Sequence, residues 1–291
     1  LYTAQSNISS AIKSLEGELG ISIFTRSSRG VMLTADGTEL LGYARQVVEQ
    51  ANMLEARYER NEAPQARLAV SAQHYAFSVQ AFINVVEACD DEKFEFTMRE
   101  TTTAQIIDDV RAFRSEVGIL YLDDFNRRVL EKAFADARVS FHPLFNARVH
   151  VFVSEHHPLA AKPSICLEDL APYTRYSFEQ GTSNSFYFSE EPFSYVPCAR
   201  NIRVSDRGTL TNLLTTSNGY ALSTGVLSAE MQSGMASIPL KEDAHMLVGY
   251  IVHDERRPAP ILTQYLSELR RIIADADRNG AVLIAEDGAD A

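Results

Sequence analysis

Three short polar segments each follow an apolar, strand-like run and open a helix-like one. Ser71-Ala72-Gln73-His74 follows Leu68-Ala69-Val70, Thr101-Thr102-Thr103 follows the run from Phe94 to Met98, and Ser205-Asp206 follows Ile202-Arg203-Val204. Hydroxyls, an amide, an imidazole and the free N–H groups of a helix start suit a small polar molecule, anionic or zwitterionic. The same residue types also serve as plain helix caps, and the sequence leaves both roles open. In open α/β sheets ligands collect beyond the carboxyl ends of strands, so three comparable junctions favour one shared pocket. Phe178-Glu179-Gln180-Gly181 follows a further strand-like run, Tyr173 to Ser177, and could supply a facing wall. There Glu179 could receive an ammonium group or simply stand in water.

A second set of polar side chains opens the chain. Thr3, Gln5, Ser6, Asn7, Ser9, Ser10 and Lys13 surround Ile8, Ile12, Leu15 and Leu19, which recur at helical spacing. Thr3 is a suitable N-cap, and Gly20 follows the last periodic residue as a stop. A helix with small hydroxyl and amide side chains on its exposed start suits a nucleic-acid groove, and Gln5 could read adenine through two hydrogen bonds. Arg26 and Arg29 then precede Val31-Met32-Leu33. That pattern predicts a small hairpin tipped with basic side chains, placed to hold phosphates or a minor groove.

Other chemistry finds no constellation. Gly-x-Ser-x-Gly, Gly-x-Gly-x-x-Gly and a phosphate loop are all missing from the sequence. His156 and His157 are adjacent and would face opposite sides of a strand, so no metal site is expected. The three cysteines, Cys89, Cys166 and Cys198, are widely spaced and read as structural thiols of a reducing compartment. No cofactor is expected.

The elements that position these residues fall into blocks. Thr34 can cap a helix with Asp36 and Glu39 in its first turn. Along it Leu40, Ala44, Val47, Ala51, Leu54 and Tyr58 repeat at alternating steps of four and three. Such a narrow heptad seam predicts a helix that pairs with a copy of itself. Asn61-Glu62-Ala63-Pro64-Gln65 marks a boundary. Beyond it, strand-like and helix-like runs alternate as βαβαβ, which implies a parallel sheet. A second block starts near Phe141, and Met246–Val252 with Ile261–Ile273 returns to the first. The expected fold class is α/β: a helix and basic wing over residues 1–34, which the resemblance given below implies is a partial winged helix-turn-helix, a dimerising linker helix over 35–63, and a two-lobed domain over 66–291. Lobe I would hold about 66–140 and 242–274, lobe II about 141–241, and the Ala/Asp/Gly-rich tail from 275 to 291 would fray.

The 291 residues allow two or three such units with cores of ordinary size. No apolar run is long enough to span a membrane, and the chain shows no secretory leader, so a cytoplasmic protein is expected. The net charge is −12, against −1 for residues 1–60, which leaves −11 for the remainder. Acid is thus concentrated away from the nucleic-acid segment. Few cations remain there for phosphates, so binding calls for a dimer or larger assembly.

The order Gln-x-x-Ile-Ser-x-x-Ile-x-x-Leu-Glu-x-x-Leu-Gly-x-x-x-Phe-x-Arg from Gln5 to Arg26, then Leu-Thr-x-x-Gly from Leu33 to Gly37, resembles the winged helix-turn-helix of LysR-type transcriptional regulators. The two-lobed block resembles their effector domain of the periplasmic-binding-protein type. The resemblance implies a bacterial regulator that binds double-stranded operator DNA through Thr3, Gln5, Ser6, Asn7, Ser9, Ser10, Lys13, Arg26 and Arg29. It also implies an effector held by Ser71, Gln73, His74, Thr101, Thr102, Thr103, Ser205 and Asp206, and self-association as a dimer or tetramer. In that family a helix and most of a second precede this point, so the resemblance also implies a shortened N-terminus and weak DNA binding by this chain alone. Two other readings are a solute-binding module without DNA function and, with less support, an α/β enzyme.

Overall fold

A computed structural model describes residues 5–27, 30–59, 66–181, 183, 185–226, 233–278 and 283–284. The chain divides into two compact units, Leu1–Pro64 and Gln65–Ala291.

In the first unit, helix α1 (Gln5–Leu19) leads to a hairpin of β1 (Phe24–Ser27) and β2 (Gly30–Leu33), then to helix α2 (Ala35–Glu59). Gly20 ends α1 with φ +68°, a left-handed conformation that costs glycine little. The Glu16 carboxylate accepts hydrogen bonds from the backbone N–H groups of Ile23 (2.7 Å) and Phe24 (3.3 Å), tying α1 to the start of the hairpin. Thr34 joins the hairpin to α2: its hydroxyl donates to the Ser22 carbonyl (2.5 Å) and accepts from the Gly37 N–H (2.8 Å). At Gly37 a Cβ would stand 2.1 Å from the Ile23 carbonyl oxygen, so the α2 start approaches the backbone as only glycine allows.

The second unit has two lobes. A six-stranded sheet runs in the order β13-β6-β12-β5-β3-β4, and a five-stranded sheet in the order β11-β7-β10-β8-β9. The first comprises β3 (Ala66–Ala72), β4 (Phe94–Glu100), β5 (Val117–Leu122), β6 (Val139–Arg148), β12 (His245–His253) and β13 (Leu283–Ile284). The second comprises β7 (His150–Ser154), β8 (Thr174–Phe178), β9 (Asn201–Val204), β10 (Gly219–Ser223) and β11 (Met235–Pro239). Helices α3 (Ala76–Glu87), α4 (Thr103–Arg111), α5 (Arg127–Ala137) and α7 (Pro260–Arg278) belong to the first lobe, and α6 (Arg207–Thr216) to the second.

In the first sheet β3 pairs parallel with β4 and β5, while β12 runs antiparallel between β5 and β6. The chain crosses between lobes from β6 to β7 and returns from β11 to β12. All six residues of β5 are buried, which is what a central strand covered on both faces requires. Both lobes thus turn the carboxyl ends of parallel strands, β3 and β4 in one and β8 and β9 in the other, toward helix starts.

Two expectations differ from these elements. The sequence places the change of lobe near Phe141, but β6 stays in the first sheet through Arg148 and pairs with β12 along its length. The composition of the tail predicts fraying from Asp275, yet α7 continues to Arg278 and Leu283–Ile284 pairs with β6. No helix among the described residues is long and apolar enough to cross a membrane.

Candidate functional sites: the first helix and the interlobe cleft

On α1 the side chains of Ser6, Asn7, Ser10 and Lys13 are exposed and Ser9 is half-buried. Positions 6, 10 and 13 recur at helical spacing and share a face. The opposing stripe is only partly covered, with Ile8 39%, Leu15 40% and Leu19 49% exposed. Gln5 opens α1 and Arg26 lies in β1, but their side chains, like the whole of Thr3 and Arg29, lie outside the described residues. On α2, Ala44, Val47 and Ala51 of the heptad stripe are exposed and Leu40 is half-buried.

In the second unit the predicted effector residues sort into two groups. Ser71 is fully buried, donates to an Asp109 carboxylate oxygen (2.7 Å) and lies 2.8 Å from the Ser115 hydroxyl. This corrects its expected role: with its capacity spent inside lobe I, it offers a ligand nothing. Gln73 is 1% exposed and spends three hydrogen bonds inside lobe I. Its Nε2 donates to Thr103 Oγ1 (2.7 Å), and its Oε1 accepts from the Tyr75 hydroxyl (2.9 Å) and the Tyr121 N–H (3.2 Å). It braces the α4 start rather than facing a ligand.

Asp206 is an exposed N-cap of α6, one oxygen accepting from the Thr209 N–H (2.7 Å) and the other from its hydroxyl (2.7 Å). The Thr209 backbone N–H, helped by its hydroxyl, holds the Asp206 carboxyl below the usual range. Asp206 therefore corrects toward the capping alternative, and Ser205 beside it is exposed. Thr102 caps α4, its hydroxyl accepting from the Gln105 N–H (3.3 Å). Thr101 is half-buried, and its N–H donates to the Ala72 carbonyl.

His74 and Thr103 meet two groups of the other lobe: Gln180, from the wall segment 178–181, and Glu190, which the sequence analysis did not name. The Thr103 N–H, at the start of α4, donates to Gln180 Oε1 (3.1 Å) from the other lobe, and Gln180 Nε2 donates to Glu190 Oε1 (3.0 Å). The other Glu190 oxygen accepts from both the His74 N–H (3.0 Å) and His74 Nδ1 (2.8 Å). The His74 ring stacks on Phe178, with centroids 3.8 Å apart and planes 7° from parallel. Arg207 Nε donates to Glu100 Oε1 across the same cleft (2.8 Å). The interlobe contacts thus converge on the strand ends and helix starts of lobe I.

Glu191 is buried next to Glu190 and accepts from the Phe178 N–H (2.7 Å). Burial, reinforced by the Glu190 charge, pushes its carboxyl up to about 8, which favours the neutral form at pH 7. For His74, burial opposes the charged form most strongly, but the hydrogen bond and charge of Glu190 outweigh it and raise the ring above its ordinary value. Glu179, the acid first suspected in this wall, is exposed, and its neighbour Gln180 does the bridging. The signal available in the sequence was the pair Glu190-Glu191 set among Phe186, Phe188 and Phe193, where two acids are hard to solvate.

The chain carries a helix-and-hairpin unit followed by a two-lobed α/β domain. Residues 1–38 match the bacterial regulatory helix-turn-helix protein of the lysR family, and residues 91–273 match the LysR substrate binding domain. The second match alone takes in more than half of the chain, and the chain belongs to the LysR family.

Among curated relatives it is similar to the HTH-type transcriptional regulator MetR of Salmonella typhimurium, 27% identical over 177 residues, which is 60% of this chain and 51% of that one. It is also similar to the HTH-type transcriptional regulator SsuR of Burkholderia cenocepacia, 30% identical over 188 residues, 62% of this chain and 56% of that one. The chain thus spans only a little over half the length of these relatives. In fold it is similar to OxyR of Corynebacterium glutamicum, in a cysteine-to-serine mutant described as H2O2-bound, with TM-score 0.53, 19% identity and coverage of 97% of this chain and 90% of that one.

Proposed function

We propose that this chain is a DNA-binding transcription regulator, not an enzyme, whose interlobe cleft senses a small-molecule effector. One observation carries the reading. A helix with a polar, exposed face is fixed to a two-stranded wing by Glu16, Thr34 and Gly37, in the segment matching a bacterial regulatory helix-turn-helix. Ser6, Asn7, Ser9, Ser10 and Lys13 would approach bases and phosphates, with Thr3, Gln5, Arg26 and Arg29 completing the set. The exposed stripe of α2 supports self-association, which would multiply the few phosphate contacts of one reading head. His74, Thr101, Thr102 and Thr103 are the side of the effector cleft contributed by lobe I. The effector acts by coupling lobe closure to DNA affinity, and the coupling is reciprocal.

The test is fluorescence anisotropy on a duplex selected from a random pool by this chain, titrated with salt. Binding falls as salt rises, and Lys13→Ala reduces the logarithmic salt slope by about one. A chain that is monomeric by light scattering and shows no salt-dependent DNA binding overturns the reading.

A further inference from the structure

Beside the interlobe contacts lies a small cavity of about 40 Å3, reaching from His74 into lobe II. Its floor is apolar: Phe152, Leu210, Leu214, Ala221 and Met235. Its polar rim is His74, Glu190, Glu191 and Arg207, with the half-buried hydroxyls of Thr211 and Ser223. Glu190, Glu191 and Arg207 are paired across or within the cleft, as described above. Among the buried groups of the rim, His74 is the exception in one atom. Its side chain is 4% exposed, its Nδ1 is bonded to Glu190, and its Nε2 is buried with no partner among the described residues. A buried imidazole nitrogen left unpaired is destabilising, so this atom favours a ligand that supplies the missing partner.

The α4 start, the obvious seat for an anionic group, is already taken by the Gln180 amide oxygen. Any effector that leaves the lobes joined must therefore present its head elsewhere. Because Nδ1 faces a carboxylate it is the donor, and a ring held toward its charged form also carries a proton on Nε2. A neutral Glu191 carboxyl adds no negative charge to the rim. The rim then offers an acceptor oxygen a charge-assisted donor, while the floor offers a hydrocarbon body a place out of water.

We propose that the effector of this cleft is a small monocarboxylate with a compact apolar body, its carboxylate on His74 Nε2 and its body against Phe152, Leu210, Leu214, Ala221 and Met235. This rests on the effector reading above and narrows it to a chemical class and a pose.

Three probes share one branched body and differ only in the head: isovalerate, isoamyl alcohol and isoamylamine. They are titrated into the full chain carrying 15N-labelled histidine, with affinity from calorimetry and the His74 ring followed by long-range proton–nitrogen correlation. Isovalerate is expected to bind and move the His74 Nε2 resonance, the alcohol to bind more weakly and the amine not to bind. His74→Asn keeps a donor toward Glu190 but deletes Nε2, and is expected to weaken isovalerate by about tenfold, the worth of one charge-assisted hydrogen bond. Ala221→Leu fills the floor and is expected to abolish binding with the His74–Glu190 contact intact; it carries the test if His74→Asn does not fold.

The proposal is overturned if amine and carboxylate bind alike, if binding leaves Nε2 unmoved, or if Ala221→Leu retains full affinity. If isovalerate fails while one of the twenty amino acids or the C4 dicarboxylates raises the melting temperature, this pose falls and the effector reading stands. If none of these binds, both fall.

Discussion

The Thr103 N–H of one lobe is capped by the Gln180 side-chain oxygen of the other, at 3.1 Å, and the same amide donates onward to Glu190 at 3.0 Å. A helix start that would otherwise hold a ligand or water is thus closed by the protein itself. Gln180→Ala leaves a buried N–H and one Glu190 oxygen short of a partner. It is expected to destabilise the second unit by about 2 kcal/mol, lowering its melting temperature by roughly 4–8 °C. Gln180→Glu keeps the acceptor for Thr103 but sets a second carboxylate against Glu190. Its loss is therefore expected to be larger at pH 8 than at pH 5, measured by scanning fluorimetry. Equal losses at the two pH values would show that the Glu190 contact is unimportant.

Acid is expected to stabilise this cleft. His74 has its folded value raised above 6.5, so its contribution is fully present below pH 6.5 and is lost as pH rises through the folded value. Glu191 is raised from 4.5 to about 8, chiefly by burial. Its neutral form suits the fold, so its contribution is full below pH 4.5 and declines steadily until about pH 8. Both groups give the same sign. The melting temperature of the second unit should rise between pH 8.5 and pH 6, and Glu191→Gln, which is neutral throughout, should flatten that slope. A parallel profile for the variant would refute the assignment.

The first lobe is largely legible in the sequence because its strands and helices announce themselves locally. Alternation and apolar runs mark β3, β4 and β5, and α4 opens where Thr101-Thr102-Thr103 ends a strand. The helix α5 escapes that reading although Leu130, Phe134 and Ala137, its buried positions, keep helical spacing. The lobe change is misplaced because β6 is a ten-residue strand of mixed exposure, and which sheet it joins is decided by pairing with the distant β12. For the cleft, His74 and Thr103 can be suspected from their junctions. Gln180 lies in the wall segment 178–181, but its bridging role is not legible there, because it depends on Glu190, which comes from an irregular stretch and meets His74 across 116 residues of sequence. Ser71 shows the converse limit: a serine after a strand reads the same whether it serves a pocket or a buried aspartate.

In the first unit, Glu16 holds two wing N–H groups with one oxygen, at 2.7 and 3.3 Å. Glu16→Gln keeps an acceptor at that point, whereas Glu16→Ala removes it. Glu16→Ala is expected to cost about 1–2 kcal/mol and to speed hydrogen exchange at the Ile23 and Phe24 amides, with Glu16→Gln between it and the native chain. Unchanged exchange at Ile23 in Glu16→Ala would mean that the wing is fixed by other contacts.

Gly37 gives the sharpest steric prediction. Its neighbour across the contact is the Ile23 carbonyl, a backbone atom that also accepts the Thr34 N–H (3.0 Å) and so cannot swing away cheaply. Gly37→Ala would bring a methyl carbon to 2.1 Å from that oxygen before relaxation. Helix propensity alone would favour alanine inside α2 by about 1 kcal/mol, so the two effects oppose each other. Overpacking against backbone costs about 1–3 kcal/mol, and the clash is expected to win, because relief requires moving the whole start of α2 away from the wing. The result should be a less stable first unit and weaker DNA binding, seen as a lower denaturant midpoint and a higher dissociation constant on the selected duplex. Gly42→Ala on the same helix is the control, since a Cβ there meets nothing within 4 Å. It should be neutral or mildly stabilising. If both alanine variants are stabilised alike, the close approach of α2 to Ile23 is not a constraint on the fold.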